Sequence, residues 1–307
     1  MLTLFTTAKP FTGHNAIIQR NALTSWKLLR PEVEVILFGD DEGAAEVCAD
    51  LDLRHEPHVE RHPSGMKYLN YLFERAQAIA RYDYLCYSNC DIILLADFCD
   101  AFAAAARWRR RFLMIGQRWD ADITEPIDFT EPEWASTLRI LAQTTGFRQA
   151  MHFIDYFAFY KGVYYQIPPF VLGRSWWDHW LVWSALSRHV PVIDCSSAVL
   201  AIHQNHSYTY HPQGKQGTHE DGLAQLNRSL AGNGKQLCIT PDSTHALTAR
   251  GHIRRAPPFR RFIVWTLPNL MKSLIFRTFW LRKPLGLQRK NFSRLAKKLR
   301  LRVRRAP

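Results

Sequence analysis

Acidic residues are missing from the end of this sequence: none of its 27 Asp and Glu follows Asp242. Residues 243–307 hold 18 of the 40 Lys and Arg, which leaves 22 basic against 27 acidic residues, a charge of −5, for residues 1–242. The net +13 is therefore a property of the tail, and a uniformly basic nucleic-acid-binding body is excluded. Long apolar runs are also missing. The most hydrophobic part of the tail, between Arg254 and Arg282, is broken by Pro268 and Lys272, so it is expected to lie on a bilayer and not to cross one. The start, MLTLFTTAKPF, lacks the basic segment and the apolar length of a secretion signal and reads as a first strand. The six cysteines form no CxxC pair and no metal-ribbon spacing, which points to a reducing, cytoplasmic compartment. Neither GxGxxG nor GxxxxGK[ST] occurs, so the usual dinucleotide and P-loop phosphate cradles are excluded.

What is present is a globular composition, 47% hydrophobic over 307 residues, enough for one α/β body at residues 1–242 followed by a basic appendage at 243–307. Apolar runs predict strands at Leu2–Thr6, Val33–Phe38, Tyr84–Ser88 and Phe153–Tyr160, with a strand pair near Val190–Ile202. Helical spacing marks Asn15–Leu29, residues 42–51, Tyr68–Arg81 and a helix opening at Asp178. Residues 118–150 read as an insertion with one helix. Strands alternating with helices predict a largely parallel sheet covered on both faces, and ligands gather at the carboxyl ends of such strands. Three polar clusters fall at those ends: Thr6, Thr7, Ala8 and Lys9; Gly39, Asp40 and Asp41; and Asn89, Cys90 and Asp91.

Asp91, placed directly after a buried strand, is suited to a hard divalent cation, with Asn89 adding a carbonyl oxygen or a ribose contact; the alternative is a simple turn. His203 and His206, in IHQNHSYTYH, offer imidazoles from across a cleft, and His203 is favoured because it follows the strand directly. Asp178, in SWWDHW, is either a helix cap or a general base flanked by sugar-stacking indoles. Asp155 lies in the apolar segment FIDYFAFY and must be compensated by hydrogen bonds, to sugar hydroxyls or to the protein itself. Arg174 and Lys9 are candidate phosphate partners.

Taken together, TTAKPF, FGDD, YSNCD, GRSWWDHW and a late His resemble the GT-A fold glycosyltransferases over about residues 1–235. The resemblance implies a Rossmann-like α/β fold and a UDP-sugar or related nucleotide-sugar donor used with Mn2+ or Mg2+. It implies nucleotide contacts from Thr6 and Asp40, ribose and metal contacts from Asn89 and Asp91, a metal contact from His203 and a catalytic base at Asp178. The family's first DxD aspartate is Asn89 here. The basic tail alternates Arg and Lys with Phe, Trp and Leu, which favours an anionic membrane surface over nucleic acid and places a glycan or lipid-linked acceptor on the inner face of the membrane. A sugar nucleotidyltransferase, or a non-enzymatic basic adaptor, are the competing readings.

Overall fold

The computed structural model describes residues 1–206, 214–257, 260, 262–267 and 270. Its strands are β1 (Thr3–Thr7), β2 (Glu34–Phe38), β3 (Arg54–Glu56), β4 (Tyr84–Ser88), β5 (Ile92–Ile93), β6 (Leu113–Ile115), β7 (Arg118–Ala121), β8 (Phe147–Arg148), β9 (Tyr156–Tyr160), β10 (Val192–Asp194), β11 (Ala201–Gln204), β12 (His245–Leu247) and β13 (Ile253–Arg255). The helices are α1 (Gly13–Lys27), α2 (Ala44–Asp50), α3 (Leu69–Ile79), α4 (Ala96–Trp108), α5 (Trp134–Thr144), α6 (Trp177–Ser187), α7 (Gly214–Glu220) and α8 (Gly222–Leu230).

Nine strands form one sheet in the order β13-β12-β10-β6-β9-β4-β1-β2-β3. The pairs β1–β2, β1–β4, β2–β3, β6–β10 and β10–β12 are parallel, and β9 runs antiparallel between β4 and β6. Successive side chains of a strand point to opposite faces, and here both faces are apolar. Leu4, Val35, Leu37 and Cys86 pack with Ala22 and Trp26 of α1, Val47 of α2 and Phe98 of α4. Their strand neighbours Phe5, Ile36, Phe38 and Leu85 pack with Leu72 and Phe73 of α3 and Leu181 of α6. The mostly parallel α/β layering expected from the sequence is thus present.

A second sheet, β5-β11-β7-β8, stands beside the first, and α5 covers it through Leu138 and Ala142. This corrects two expectations. Residues 118–150 are not an insertion, because β7 is the parallel partner of β11. The strands near Val190–Ile202 do not pair with each other: β10 belongs to the large sheet and β11 to the small one. The first compact unit runs to Arg255, past the 242/243 boundary read from charge, because β12 pairs with β10 and β13 with β12. The second unit starts at Ala256, and its described part includes one helical turn at Phe262–Thr266. Most of the predicted amphipathic tail lies outside the described residues. Among those that are described, no helix is long and apolar enough to cross a membrane. None of the six cysteines is in a disulfide; five are buried and Cys238 is half-buried.

Candidate functional site

The chain pins the segment after β4 with unusual care. Trp26 of α1 donates its indole N–H to the Ile92 carbonyl at 2.8 Å, and the Ser25 hydroxyl accepts from the Leu94 N–H at 3.3 Å. Gln204, fully buried on β11, donates its amide to the carbonyls of Ile18 (2.7 Å) and Asp91 (3.2 Å) and accepts from Asn21 (3.0 Å). These bonds lock α1, β5 and β11 together, so Asp91 and His203 are held by backbone positions that have little freedom.

They meet at the floor of a cleft of about 650 Å3 at the carboxyl ends of β1, β2 and β4. Asp91, His203 and His206 bring one ligand atom each to within 4.8 Å of one another. Nε2 of His206 is 3.2 Å, and Nε2 of His203 3.7 Å, from Oδ2 of Asp91. The other oxygen of Asp91, Oδ1, is buried and accepts no hydrogen bond. A buried carboxylate oxygen left without a donor is costly, and with two imidazole nitrogens near the other oxygen of the same carboxylate it completes a set that fits a divalent metal ion. Burial alone would raise the Asp91 carboxyl pKa, but His203, His206 and Lys9 outweigh it and hold the group well below the usual carboxylate range.

Behind the histidine stands a network that the sequence reading missed. His203 and Asp120 face each other in the β11–β7 register, and Nδ1 of His203 lies 3.2 Å from Asp120 Oδ1. Asp120 also accepts from Arg118 Nε at 2.8 Å and from Gln149 at 2.6 Å. Burial would raise its carboxyl; the adjacent His203 ring, the hydrogen bond from Gln149 and the charge of Arg118 bring it to about 2. Arg118 reaches on to Asp155 Oδ2 at 3.1 Å, and Asp155 Oδ1 accepts from Asn89 at 2.6 Å. The contact of His203 with Asp120 is an ion pair out of hydrogen-bond geometry, and a carboxylate beside one ring nitrogen still favours the proton there and leaves the other nitrogen as a metal ligand. The signal available in the sequence was the alternation Arg118-Trp119-Asp120 within an apolar context, which reads as a strand with one polar face.

Most of the predicted residues line this cleft: Thr7, Lys9, Asn89, Asp91, Asp155, Arg174, Asp178 and His203. Two do not. Thr6 is fully buried within β1, and Asp40 is exposed and paired with Arg61 at 2.5 Å; its neighbour Asp41, bonded to Lys67, takes the place at the wall. Asp155 is committed to Arg118 and Asn89, so the internal reading of that carboxylate is the observed one. The Asn89 carbonyl accepts from Tyr87 at 3.3 Å. Arg174 donates to Asp221 at 2.6 Å, the residue that caps α8 by accepting from the Ala224 N–H. Lys9, close to Asp91, has its pKa lowered by burial, partly offset by the charges of Asp91 and Cys90.

Asp178 does not cap its helix. The N-cap of α6 is Trp176 and no side-chain cap bond forms; Asp178 sits in the first turn with Oδ1 buried and free of hydrogen bonds. Of the flanking indoles, Trp177 lines the cleft while packing against Tyr87 and Phe157, and Trp176 is not among the lining residues. Trp176 has φ +91°, a conformation that L residues rarely adopt and one that costs about 1–3 kcal/mol, and Asp178, two residues on, lines the cleft.

No known protein family matches the chain, and no curated protein matches it. Among solved structures, the S. aureus TarS fragment 1–349 is similar at 10% identity and TM-score 0.39, and the same fragment in complex with UDP-GlcNAc at 9% and 0.43. Each comparison covers 67% of this chain and 58% of the fragment, so the chain spans a little over half of the TarS fragment's length. M. tuberculosis glucosyl-3-phosphoglycerate synthase is similar at 12% identity and TM-score 0.45, over 80% of this chain and 83% of that one.

Proposed function

We propose that this protein is a metal-dependent glycosyltransferase of the GT-A kind, moving a sugar with inversion from a nucleotide-sugar donor, UDP-linked in our reading, to a hydroxyl of a glycan or lipid-linked glycan. The observation that carries the proposal is the pairing, in one cleft, of two buried carboxylate oxygens without hydrogen bonds: Oδ1 of Asp91, whose Oδ2 meets two imidazoles, and Oδ1 of Asp178 at the start of α6. One suits a cation and the other a proton.

Asp91, His203 and His206 would hold the ion, and a mixed oxygen–nitrogen set favours Mn2+ over Mg2+, which prefers oxygen ligands. When bound, such an ion neutralises charge on a diphosphate leaving group. Asp178 accepts the proton of the acceptor hydroxyl. The acceptor oxygen then bonds to the anomeric carbon from the face opposite the departing nucleoside diphosphate, whose C–O bond breaks. Asp120 and Arg118 keep His203 oriented. Lys9, next to Asp91, adds positive charge on the phosphate side of the cleft. The cytoplasmic face of a membrane, reached through residues 243–307, is the proposed location.

The test is Asp178→Asn, with donor binding measured by thermal shift in the presence of Mn2+ and transfer by product NMR. The expected result is normal donor-dependent stabilisation, loss of transfer by a factor of about 10^2 to 10^4, and an inverted anomer from the unmodified enzyme. Full transfer by the variant, or a retained anomer, overturns the mechanism; no stabilisation of the folded protein by any nucleotide with Mn2+ overturns the function.

A further inference from the structure

At the opposite edge of the large sheet, where β6, β10 and β12 begin, the surface changes character. The last turn of α4 and the residues after it, Arg107, Trp108, Arg109, Arg110 and Arg111, are all exposed, Trp108 by 39%. The Trp108 ring lies 4.6 Å from that of His245 on β12, and the Arg109 guanidinium stands 5.9 Å from the indole. Arg255, the last residue of the edge strand β13, is directly opposite His245. Burial first, then the charges of Arg255 and Arg109, lower the His245 pKa, so both cations converge on one neutral ring.

What distinguishes this face is its unbalanced charge. Among the described residues no carboxylate pairs with Arg107, Arg109, Arg111 or Arg255; the one ion pair nearby, Arg110 with Asp83, is long at 3.9 Å and exposed on both sides. Yet residues 1–242 are acidic overall. Selection for solubility alone would intersperse signs. An indole held among unpaired guanidinium groups matches the head-group level of an anionic bilayer, where Trp partitions and Arg binds phosphate in bidentate fashion. A single-stranded nucleic acid would call for successive exposed stacking rings, and this face has one. The chain also leaves Arg255 directly into residues 256–307, which hold 15 basic and no acidic residues.

We propose that this edge of the folded body, centred on Trp108, Arg109 and Arg255, is a docking surface for an anionic lipid bilayer, distinct from the cleft and from the tail. β6 runs from this edge towards the cleft, which Arg118 lines two residues after Gly116. On a docked body the cleft therefore opens away from the lipid, by about 17 Å, the length of the five-residue strand β4, which runs the same way as β6. On the function proposed above, the acceptor hydroxyl then belongs to a glycan extending from the surface and not to the lipid head group itself.

The experiment uses the full chain and vesicles of phosphatidylcholine with or without phosphatidylserine. Arg109→Gln/Arg255→Gln, which leaves the tail intact, is expected to bind phosphatidylserine vesicles about 30-fold more weakly. Arg20→Gln/Arg54→Gln, two arginines that are each ion-paired with a carboxylate, Asp50 and Glu34, is expected to bind like the parent. Vesicles should also slow backbone hydrogen exchange at residues 107–111 of the unmodified chain. Equal losses in the two double variants, unchanged binding of the first, or no protection at 107–111 would each overturn the proposal. So would substitutions that weaken binding to an oligonucleotide while leaving vesicle binding unchanged.

Discussion

Asp120→Asn isolates the role of the network behind His203. The substitution preserves shape but removes the charge that Arg118 (2.8 Å) and His203 (3.2 Å) share, and it places an amide where a carboxylate accepted from Gln149. Arg118 keeps Asp155, so the buried guanidinium is left half-compensated and not orphaned; the stability loss is about 1–3 kcal/mol. The larger consequence concerns the imidazole. Without the carboxylate, Nδ1 loses the negative charge beside it and the proton is free to move to Nε2, the nitrogen that faces Asp91. Metal affinity should then fall about 10- to 100-fold, or about 1.4–2.7 kcal/mol. Titration of the purified protein with Mn2+, following free Mn2+ by electron paramagnetic resonance, measures this directly, and Gln149→Ala serves as the control that removes a bond but keeps the charge. A Mn2+ affinity for Asp120→Asn within about threefold of the parent, in a protein whose Asp91→Asn variant binds none, would refute the positioning role.

Asp120 also sets an acid limb. Its carboxyl is at about 2 when folded against 3.8 ordinarily, so the unfolded chain binds the proton first, and the roughly 2 kcal/mol it contributes above pH ~4 is lost as pH falls through the folded value; the Asn variant should show a flatter dependence of stability on pH over that window by urea unfolding. At Gly146 an added Cβ would sit 2.6 Å from the carbonyl oxygens of both Ala142 and Asp120, so Gly146→Ala should cost about 1–3 kcal/mol in thermal unfolding and, by shifting β7, weaken Mn2+ binding as well. Trp26→Phe removes the donor to the buried Ile92 carbonyl and should destabilise the protein by about 1–3 kcal/mol in chemical denaturation.

The parts of the fold that could be read from the sequence are those where local pattern and tertiary role coincide. β1, β2 and β4 are five-residue apolar strands that end in polar clusters, and α1 and α3 carry helical periodicity. Strands β5, β6 and β12 have only two or three residues and exist because neighbours far along the chain pair with them; no periodicity can be expressed in so short a run. β12 and β13 were assigned to the tail because charge was used as the boundary, whereas sheet pairing sets it. In the site, Asp91 and Asp178 are legible because one follows β4 and the other opens α6, whereas His203, expected directly after its strand, lies inside β11. Asp120 and Arg118 were missed because their importance lies in the β7–β11 register, a long-range relation. Asp40 and Asp41 were indistinguishable by position; only the turn after β2 decides that Asp41 faces the cleft and Asp40 meets Arg61.

The cysteine distribution gives an experimental handle. With five thiols buried and Cys238 half-buried, a maleimide dye added to the native protein should attach at one position without any engineering. The backbone N–H of Cys238 donates to the carbonyl of His179 at 3.1 Å, one residue from Asp178. A reporter there is coupled to the first turn of α6, so its fluorescence would follow the movement of that turn in real time, in single molecules as well as in bulk.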